Sequence, residues 1–526
     1  MRRPEFQLGR DRDQQMTKLP AAFVCAAALA VSLTRATAQQ PSVRPAVPPF
    51  DVVEKSIYGL LPALEDGRVT SRQLVEGYLA RIRAYDQNGP KINAFITLNP
   101  HALDDADALD RERRARGPRG PLHGIPIVVK DNYATADMPT TGGSKALAGF
   151  ETRRDAFMVK KLRDAGVVII GKTNLHELAY GITSISSMGG QTLNPYDPTR
   201  NPGGSSGGTG AAVAANFAVA GMGTDTCGSI RNPAASNNLF GLRGTLGLSS
   251  REGILPLSHS QDIGGPLART VTDLALMLDA TVGFDPADPL TRLSEGRIPK
   301  SYTSALADRS LSGHSIGVVT ALFGSTPEDQ EVAKIVRRAI DDMRAIGARV
   351  SEISIPGYDE AMQGTSTINA EFKFDLMDFL GKYPGAPMKT LAEIVASGKF
   401  DRAVEAVLKR SNAVESRDSE SYRTTLARRE LATKTIVDGM REVTVLAYPT
   451  LRRKPAVIGQ GQGGSNCQLS ATTGLPAISI PAGFTEDGLP VGLELLGRAF
   501  SEPTLLRMAY AYEMATSPRR PSKHTP

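Results

Sequence analysis

The 526-residue sequence is 41% hydrophobic and 22% charged, a composition typical of a folded globular protein that excludes the disordered and fibrous classes. Its formal net charge of +6 is concentrated at the two ends: residues 1–38 hold six Lys/Arg against three Asp/Glu, and Arg519, Arg520 and Lys523 lie near the C-terminus. The body of the chain is near neutral, which argues against a nucleic-acid partner.

The first 38 residues predict a secretory signal peptide. The apolar run LPAAFVCAAALAVSL is preceded by five basic residues, which are Arg2, Arg3, Arg10, Arg12 and Lys18. The run is short for a membrane span, and an A-x-A cleavage pattern ends at Ala38. We therefore expect cleavage after Ala38, export to the periplasm or the medium, and no membrane association afterwards. The alternatives are a buried N-terminal helix, or a start at Met16 that leaves Lys18 as the basic segment.

Residues 39–526 show no linker, charge block or internal repeat, so we expect one large domain. Thr70 and Gln73 form a capping box ahead of an apolar helix face. That face consists of Leu74, Tyr78, Ile82 and Tyr85. A second helix is predicted over 102–115, and the apolar run 124–130 reads as a buried strand that ends at Lys130.

Helix and strand patterns continue to alternate along the chain. VKKLRDAG predicts a helix and VVIIGKTN a strand, and AKIVRRAIDDMRAIG followed by ARVSEISI repeats the pair. This alternation is typical of an α/β fold. Residues 357–440 have weaker strand signals, so we expect a mostly helical segment that covers a binding site.

Residues 166–173 match the phosphate-loop pattern G-x-x-x-x-G-K-[ST]. A phosphate cradle needs a compact loop, whereas the four apolar residues 167–170 favour an extended strand of about 13 Å. We therefore interpret the match as part of a strand and expect no nucleotide site.

The glycine-rich stretch NPGGSSGGTG, residues 201–210, fits the nucleophile-elbow pattern G-x-S-x-G around both Ser205 and Ser206. That chemistry needs a histidine later in the chain, and the candidates are His259, His314 and His524, the last in a tail expected to be mobile. No apolar strand leads directly into the loop, so the pattern argues against an α/β-hydrolase elbow.

Cleavage of the signal peptide would leave two cysteines, Cys227 and Cys467. A disulfide between them is an alternative, but we expect the core rather than crosslinks to stabilise the protein. Cys227 has no histidine nearby to activate a thiolate, so a packed thiol is the preferred interpretation. The pair His176–Glu177 is too small a set for a metal site, and no cofactor is expected.

A different chemistry joins Lys130, the glycine-rich stretch and Ser229. Burial lowers the pKa of a lysine, and a neutral lysine can activate a serine through a hydroxyl relay without histidine. Lys130 follows an apolar run and is well placed for such burial. A solvated lysine and simple Gly-Ser turns remain the alternative.

Longer motifs extend this arrangement. Ser229 stands 24 positions after Ser205, within DTCGSIR, and GIPIVVKDN, GVVIIGKTNLHEL and GLPVGLELLGRAF lie elsewhere in the chain. On these residues the sequence resembles the amidase signature family of Ser-cis-Ser-Lys hydrolases over nearly all of 50–515. The resemblance implies one α/β domain with a central mixed β-sheet covered by helices on both faces.

The resemblance also implies roles for individual residues. Ser229 is the implied nucleophile, Ser205 the bridging cis-peptide serine and Lys130 the base. The implied oxyanion hole is made of the backbone amides of Thr226, Cys227, Gly228 and Ser229. The implied supporting residues are Ser206, Asp225 and Arg231. Cys227 departs from the family, which usually has glycine there, and this leaves the shape of the oxyanion loop open.

Within the family, RGPLHGIP, SREGILPLSHSQD and EFKFDLMDFL resemble bacterial peptide amidases, which deamidate C-terminally amidated peptides. Aryl acylamides, small amides, esters or carbamates are alternative substrates for the same three residues. The tRNA-dependent amidotransferase of this family works in the cytoplasm, where its A chain needs a partner, so the export signal argues against it. An inactive binding protein is a further alternative, and we expect a monomer or a homodimer.

Overall fold

Residues 50–526 are described by the computed structural model, so the predicted signal peptide and its cleavage site lie outside the described residues. Within this range, eleven strands form one mixed sheet in the order β1-β3-β2-β6-β8-β7-β12-β13-β11-β9-β10, and β4 pairs with β5 separately. The strands are β1 (Phe95–Leu98), β2 (Pro126–Lys130), β3 (Val168–Thr173), β4 (Ile185–Ser186), β5 (Gly190–Gln191), β6 (Ala220–Asp225), β7 (Phe240–Arg243), β8 (Ile263–Ala268), β9 (Ser315–Val319), β10 (Arg349–Ile353), β11 (Val445–Pro449), β12 (Ala477–Phe484) and β13 (Pro490–Leu496).

Helices pack against this sheet and form most of the segment between β10 and β11. They are α1 (Ile57–Glu65), α2 (Ser71–Arg81), α3 (Ala102–Arg116), α4 (Phe157–Asp164), α5 (Gly207–Ala214), α6 (Arg231–Ser236), α7 (Val271–Thr281), α8 (Pro327–Ala345), α9 (Tyr358–Met362), α10 (Ile368–Gly381), α11 (Leu391–Ser397), α12 (Arg402–Asn412), α13 (Glu420–Gly439), α14 (Gln468–Thr473) and α15 (Glu502–Thr516). Among the described residues, every helix is too short or too polar to cross a membrane.

The predicted α/β architecture is confirmed. Strand β2 pairs in parallel with both β3 and β6, whereas β6 pairs antiparallel with β8. Every residue of β2, β3, β6, β8 and β13 is buried. Because successive side chains of a strand point to opposite faces, burial at every position means that both faces of the central sheet are covered.

Local sequence signals account for several elements. Thr70 and Gln73 form the predicted capping box at the start of α2, with each side chain accepting from the other residue's amide. Helix α2 ends at Arg81, and a π-helical turn, Ile82–Asp86, continues the apolar face beyond it. The phosphate-loop pattern lies in β3, as predicted, so its residues form a buried strand.

The predicted helical segment 357–440 is confirmed and has a core of its own. Phe372, Leu376 and Leu380 of α10 are buried with apolar residues of the loops that follow β2 and β3. Leu175 and Leu178 belong to the same cluster. Helix α10 therefore packs on loops that lie at one edge of the central sheet.

The C-terminal tail, expected to be mobile, is instead bound to the body of the protein. Arg519 forms an ion pair with Glu54 at 2.7 Å, and the Tyr196 hydroxyl donates to the carbonyl of Arg520 at 2.6 Å. Arg81 Nη2 donates to the carbonyl of Thr525 at 2.8 Å. The basic residues of the tail are thus partly used for intramolecular contacts, which the charge pattern alone does not reveal.

Candidate active site

The site begins at the carboxyl ends of two neighbouring parallel strands. Strand β2 ends at Lys130, and β6 ends with Thr224 and Asp225. The two strands are in register with Val129 opposite Met222. Carboxyl ends of parallel strands meet at one edge of a sheet, where α/β folds bind their ligands. The pairing therefore brings Lys130 beside the end of β6.

The glycine-rich loop, residues 201–206, lies against this edge and leads into α5. The peptide bond between Gly204 and Ser205 is cis. Gly203 has φ +73°, and a Cβ added there would lie 2.9 Å from the carbonyl oxygen of Asn232. Glycine permits both this backbone conformation and the close approach of the two segments.

Lys130 is fully buried and contacts two hydroxyl groups. Its Nζ lies 2.7 Å from Ser205 Oγ and 2.7 Å from Thr224 Oγ1. Burial lowers the pKa of Lys130 to about 7, although the carboxylates of Asp262 and Asp225 act in the opposite direction. A large fraction of Lys130 is therefore a neutral amine near neutral pH, which is the form that can accept a proton.

Ser229 lies in the loop that follows β6 and is 4% exposed. Its carbonyl accepts a hydrogen bond from the Ser206 amide at 3.2 Å. The Ser206 hydroxyl donates to the carbonyl of Thr224 at 3.1 Å, so Ser206 joins the glycine-rich loop to β6 on both sides. Lys130 and Ser205 are thus in direct contact, and Ser229 is linked to them through the residue that follows Ser205.

Residues 226–229, which we call the oxyanion loop, carry the four amides predicted for the oxyanion hole. The Gly228 amide donates to Asp225 Oδ1 at 2.7 Å, so the prediction for this amide is corrected: it holds the loop instead. Within residues 50–526 the other three amides make no hydrogen bond with the protein, and they belong to Thr226, Cys227 and Ser229. These three are available to a ligand.

The predicted supporting residues Asp225 and Arg231 form a buried ionic network. Asp225 accepts hydrogen bonds from Arg231 Nε at 3.0 Å and Arg243 Nη1 at 3.2 Å, and Arg231 also pairs with Glu494. Burial raises the pKa of Asp225, but the two guanidinium groups outweigh it and hold that pKa well below its usual range. An ionised Asp225 also accepts from the Ile230 amide at 3.1 Å, so it holds both ends of the turn at Ser229.

Sequence reasoning assigned no role to several residues that the structure places in the site. Asn132 Nδ2 donates to Thr224 Oγ1 at 3.0 Å, and Thr226 Oγ1 donates to Asp262 Oδ1 at 2.5 Å. Gln261 Nε2 donates to the carbonyl of Thr226 at 3.1 Å. These residues lie within or beside the motifs that carry the family resemblance, but a one-dimensional pattern gives no distances between them.

The two described cysteines form a disulfide, which corrects the expectation that crosslinks are absent. Cys227 and Cys467 are 240 residues apart in sequence, yet their Cα atoms are 5.1 Å apart. The reason is that the segment leading into α14 packs on the oxyanion loop. Cys227 is therefore neither a free nucleophile nor a packed thiol.

The histidine alternatives have other partners. His259 Nδ1 lies 3.0 Å from Asp375 and 3.5 Å from Glu371, so the fold groups three possible metal ligands that the sequence did not indicate. The Glu371 carboxylate already accepts hydrogen bonds from hydroxyl groups, those of Ser258, Ser260 and Tyr422. This cluster therefore serves to join a loop to α10 and α13.

A cavity of about 360 Å³ opens beside the oxyanion loop. Its lining includes Ile254, Pro256, Phe379 and the polar residues His259, Asp262 and Asp375. Asp262 connects the two regions because it accepts the hydrogen bond from Thr226 Oγ1. The cavity offers one apolar wall and several hydrogen-bonding groups to a ligand.

Comparisons with known proteins agree with this geometry. The Amidase family model matches residues 73–506. The chain is 35% identical to a probable amidase of Arabidopsis thaliana over 496 residues, covering 90% of this chain and 92% of that protein. It is 37% identical to the A chain of the glutamyl-tRNA(Gln) amidotransferase of Alkalilimnicola ehrlichii, covering 88% and 97% respectively. The crystal structure of native peptide amidase from Stenotrophomonas maltophilia matches with a TM-score of 0.85 and 38% identity, covering 90% of this chain and 100% of that one.

Proposed function

Because the chain belongs to the amidase family, we propose that it hydrolyses a carboxamide through a serine acyl-enzyme. Ser229 is the nucleophile, Ser205 relays protons and Lys130 is the base. The observation that carries this proposal is the 2.7 Å contact between the buried amine of Lys130 and the Ser205 hydroxyl. A lysine with a pKa of about 7 can perform general base catalysis at neutral pH.

Acylation begins when neutral Lys130 accepts the proton of Ser205 and Ser205 accepts that of Ser229. The Ser229 oxygen then forms a bond with the carbonyl carbon, and the carbonyl π electrons move onto oxygen. The free amides of the oxyanion loop stabilise this negative charge, a contribution of about 3 kcal/mol per donor.

Collapse of the tetrahedral intermediate releases the amine and leaves Ser229 acylated. Protonated Lys130 returns its proton through Ser205 to the departing nitrogen, so the amine leaves as a neutral molecule. Water then attacks the ester, losing a proton along the same relay, and the carboxylic acid is released with Ser229 restored.

We propose C-terminally amidated peptides as the substrate class. The similarity to peptide amidase over the whole of that chain supports this choice. The cavity beside Asp262 also supports it, since its mixed lining suits a short peptide better than a purely apolar acyl group. Aryl acylamides, small amides, esters and carbamates are the alternatives for the same residues.

The similarity to the A chains of glutamyl-tRNA(Gln) amidotransferases supports a second candidate, an amide-hydrolysing component of a larger complex. We favour the independent, exported enzyme because residues 1–38 have the pattern of a signal peptide. The disulfide also supports export, because disulfides persist mainly in oxidising compartments. Mass spectrometry of the protein from a periplasmic fraction should find Gln39 as its first residue.

The test measures ammonia released from a C-terminally amidated dipeptide by the wild type, Ser229→Ala and Lys130→Arg. The free-acid dipeptide, an acyl-nitroanilide and free glutamine are assayed in parallel. We expect ammonia from the amidated dipeptide and a loss of at least about a thousandfold in both variants, because arginine stays charged and cannot act as a base.

Ser310→Ala is the matched control, because Ser310 is an exposed serine far along the chain from the site. It should retain wild-type activity. Nitroanilide cleavage without ammonia release would transfer the proposal to aryl acylamides, and release from glutamine alone would favour the amidotransferase candidate. Full activity in Ser229→Ala would contradict the mechanism.

A further inference from the structure

We propose that the Cys227–Cys467 disulfide is a positioning element of the oxyanion loop, which holds the Cys227 amide where the substrate's carbonyl oxygen gains negative charge. The inference rests on the proposed function, because it assumes that Ser229 attacks a carbonyl. It adds a requirement that the Ser-Ser-Lys residues do not contain. A covalent bond to a distant segment is needed for the full catalytic rate.

The neighbours of Cys227 are held by hydrogen bonds, whereas its own backbone is not. Thr226 is held by Asp262 and Gln261, through its hydroxyl and its carbonyl. The Gly228 amide is held by Asp225. Within the described chain, neither the amide nor the carbonyl of Cys227 makes a hydrogen bond. Its side chain is therefore its main attachment, and that side chain is the disulfide.

The other end of the disulfide is attached to a rigid part of the fold. Asn466, directly before Cys467, donates from Nδ2 to the carbonyl of Pro449 at 2.7 Å and to that of Leu322 at 2.8 Å, and all these groups are buried. The Cys467 carbonyl accepts from Arg231 Nη2 at 3.3 Å. Cys467 is thus fixed to the end of β11 and to the ionic network around Asp225.

Close packing between the two segments supports the same role. A Cβ added at Gly228 would lie only 2.8 Å from the Cβ of Cys467, so the oxyanion loop and the segment before α14 already touch. The disulfide closes this contact one residue away, at Cys227. A loop held on both sides of Gly228 has little freedom to turn its amides away from the oxyanion.

Loss of the disulfide should impair the transition state more than substrate binding. Amide donors stabilise an oxyanion when they are already in position, and a displacement of about 1 Å can cost about a hundredfold in rate. The ground-state amide makes weaker use of these donors, so KM should change little. Both cysteines are partly exposed, and a small dithiol can reach them.

The experiment compares the oxidised wild type, the wild type reduced with dithiothreitol, and the double variant Cys227→Ser/Cys467→Ser. Reduction transfers two electrons and two protons: dithiothreitol forms its cyclic disulfide, and Cys227 and Cys467 become thiols. The readouts are kcat and KM for the amidated dipeptide, and inhibition constants for the corresponding peptide aldehyde and peptide alcohol. The aldehyde forms a hemiacetal with Ser229 whose oxygen occupies the oxyanion position, whereas the alcohol binds without this bond.

We expect kcat and aldehyde affinity to fall about tenfold or more in the reduced protein and in the double variant. KM and alcohol affinity should stay within about twofold, a split that general loss of folded protein would not produce. Reoxidation of the wild type should restore kcat. Dithiothreitol should not affect the double variant, which is the matched control for the reductant.

Unchanged kcat and aldehyde affinity in the reduced wild type would overturn the inference, provided that thiol titration shows two new thiols. An equal loss of aldehyde and alcohol affinity would overturn it too, because the disulfide would then only maintain the fold. If the double variant does not fold, the reduced wild type decides the question. Failure of the oxidised wild type to hydrolyse any amide would instead contradict the proposed function.

Discussion

At the scale of single residues, the pKa of Lys130 determines when the proposed base can work. Burial lowers this pKa from 10.5 to about 7, so the neutral amine predominates above about pH 7. We therefore expect kcat/KM to rise with pH up to about 7 and then to level off. Burial also lowers the pKa of His176 to about 4, so this neighbouring group does not titrate in the same range.

The measurement is kcat/KM for the amidated dipeptide between about pH 5 and about pH 9, at constant ionic strength. A single ionisation near 7, with activity lost on the acidic side, is the expected profile. Activity that rises steadily to pH 9 would mean that Lys130 keeps the pKa of an exposed lysine, and the proposed base would then be wrong.

Asp225 supports the loop through charge rather than through chemistry. The variant Asp225→Asn leaves Arg231 and Arg243 buried with one carboxylate fewer, so we expect the free energy of unfolding to fall by about 3 kcal/mol or more. Urea denaturation measures this change, and the exposed Glu415→Gln serves as the control that should be neutral. Equal stability of the two variants would show that the buried arginines do not need Asp225.

At the scale of elements, helix α5 begins where the glycine-rich loop must approach β3 closely. A Cβ added at Gly208 would overlap the backbone of Asn174, at the end of β3. We expect Gly208→Ala to lower the melting temperature and to reduce activity, because the loop carrying Ser205 must shift. The usual gain of about 0.5–1 kcal/mol for Gly→Ala within a helix should not compensate.

Gly381 at the end of α10 is the matched control, since an added Cβ there meets nothing within 4 Å. Gly381→Ala should leave the melting temperature unchanged or raise it slightly. If the two alanine variants behave alike, close packing at Gly208 is not what requires glycine.

At the scale of the whole molecule, the disulfide joins two segments that are 240 residues apart. A crosslink that closes a long loop restricts the unfolded chain strongly, so its loss typically lowers the free energy of unfolding by about 2–5 kcal/mol. We expect Cys227→Ser/Cys467→Ser to show this decrease in denaturant titrations without a reductant. A control titration of the wild type in dithiothreitol should reproduce it; agreement of all three curves would contradict the prediction.

The parts of this fold that depend on neighbouring residues were predictable. The capping box at Thr70 and the apolar run that ends at Lys130 are local signals, and the structure confirms α2 and β2. Residues 166–173 show the same principle, because their β-branched character correctly outweighed a nucleotide-binding pattern.

Features that depend on distant pairing were not predictable in this way. The contact of Lys130 with Thr224 requires β2 to lie beside β6, and no local pattern specifies that neighbour. The Cys227–Cys467 bond could not be predicted, because two cysteines alone carry no information on distance. The family resemblance supplied the association of Lys130 with Ser205, since it encodes a three-dimensional arrangement that spacing alone does not.

The two hydroxyls at 2.7 Å from Lys130 have a consequence for proton inventory. A neutral amine has one lone pair and two hydrogens, so it can accept from one hydroxyl at a time and must donate to the other. Asn132 also donates to Thr224, whose oxygen can accept both hydrogen bonds. The enzyme is therefore ready to react only in the tautomeric arrangement where Ser205 donates to Lys130 and Lys130 donates to Thr224, and the population of that arrangement multiplies the rate of acylation.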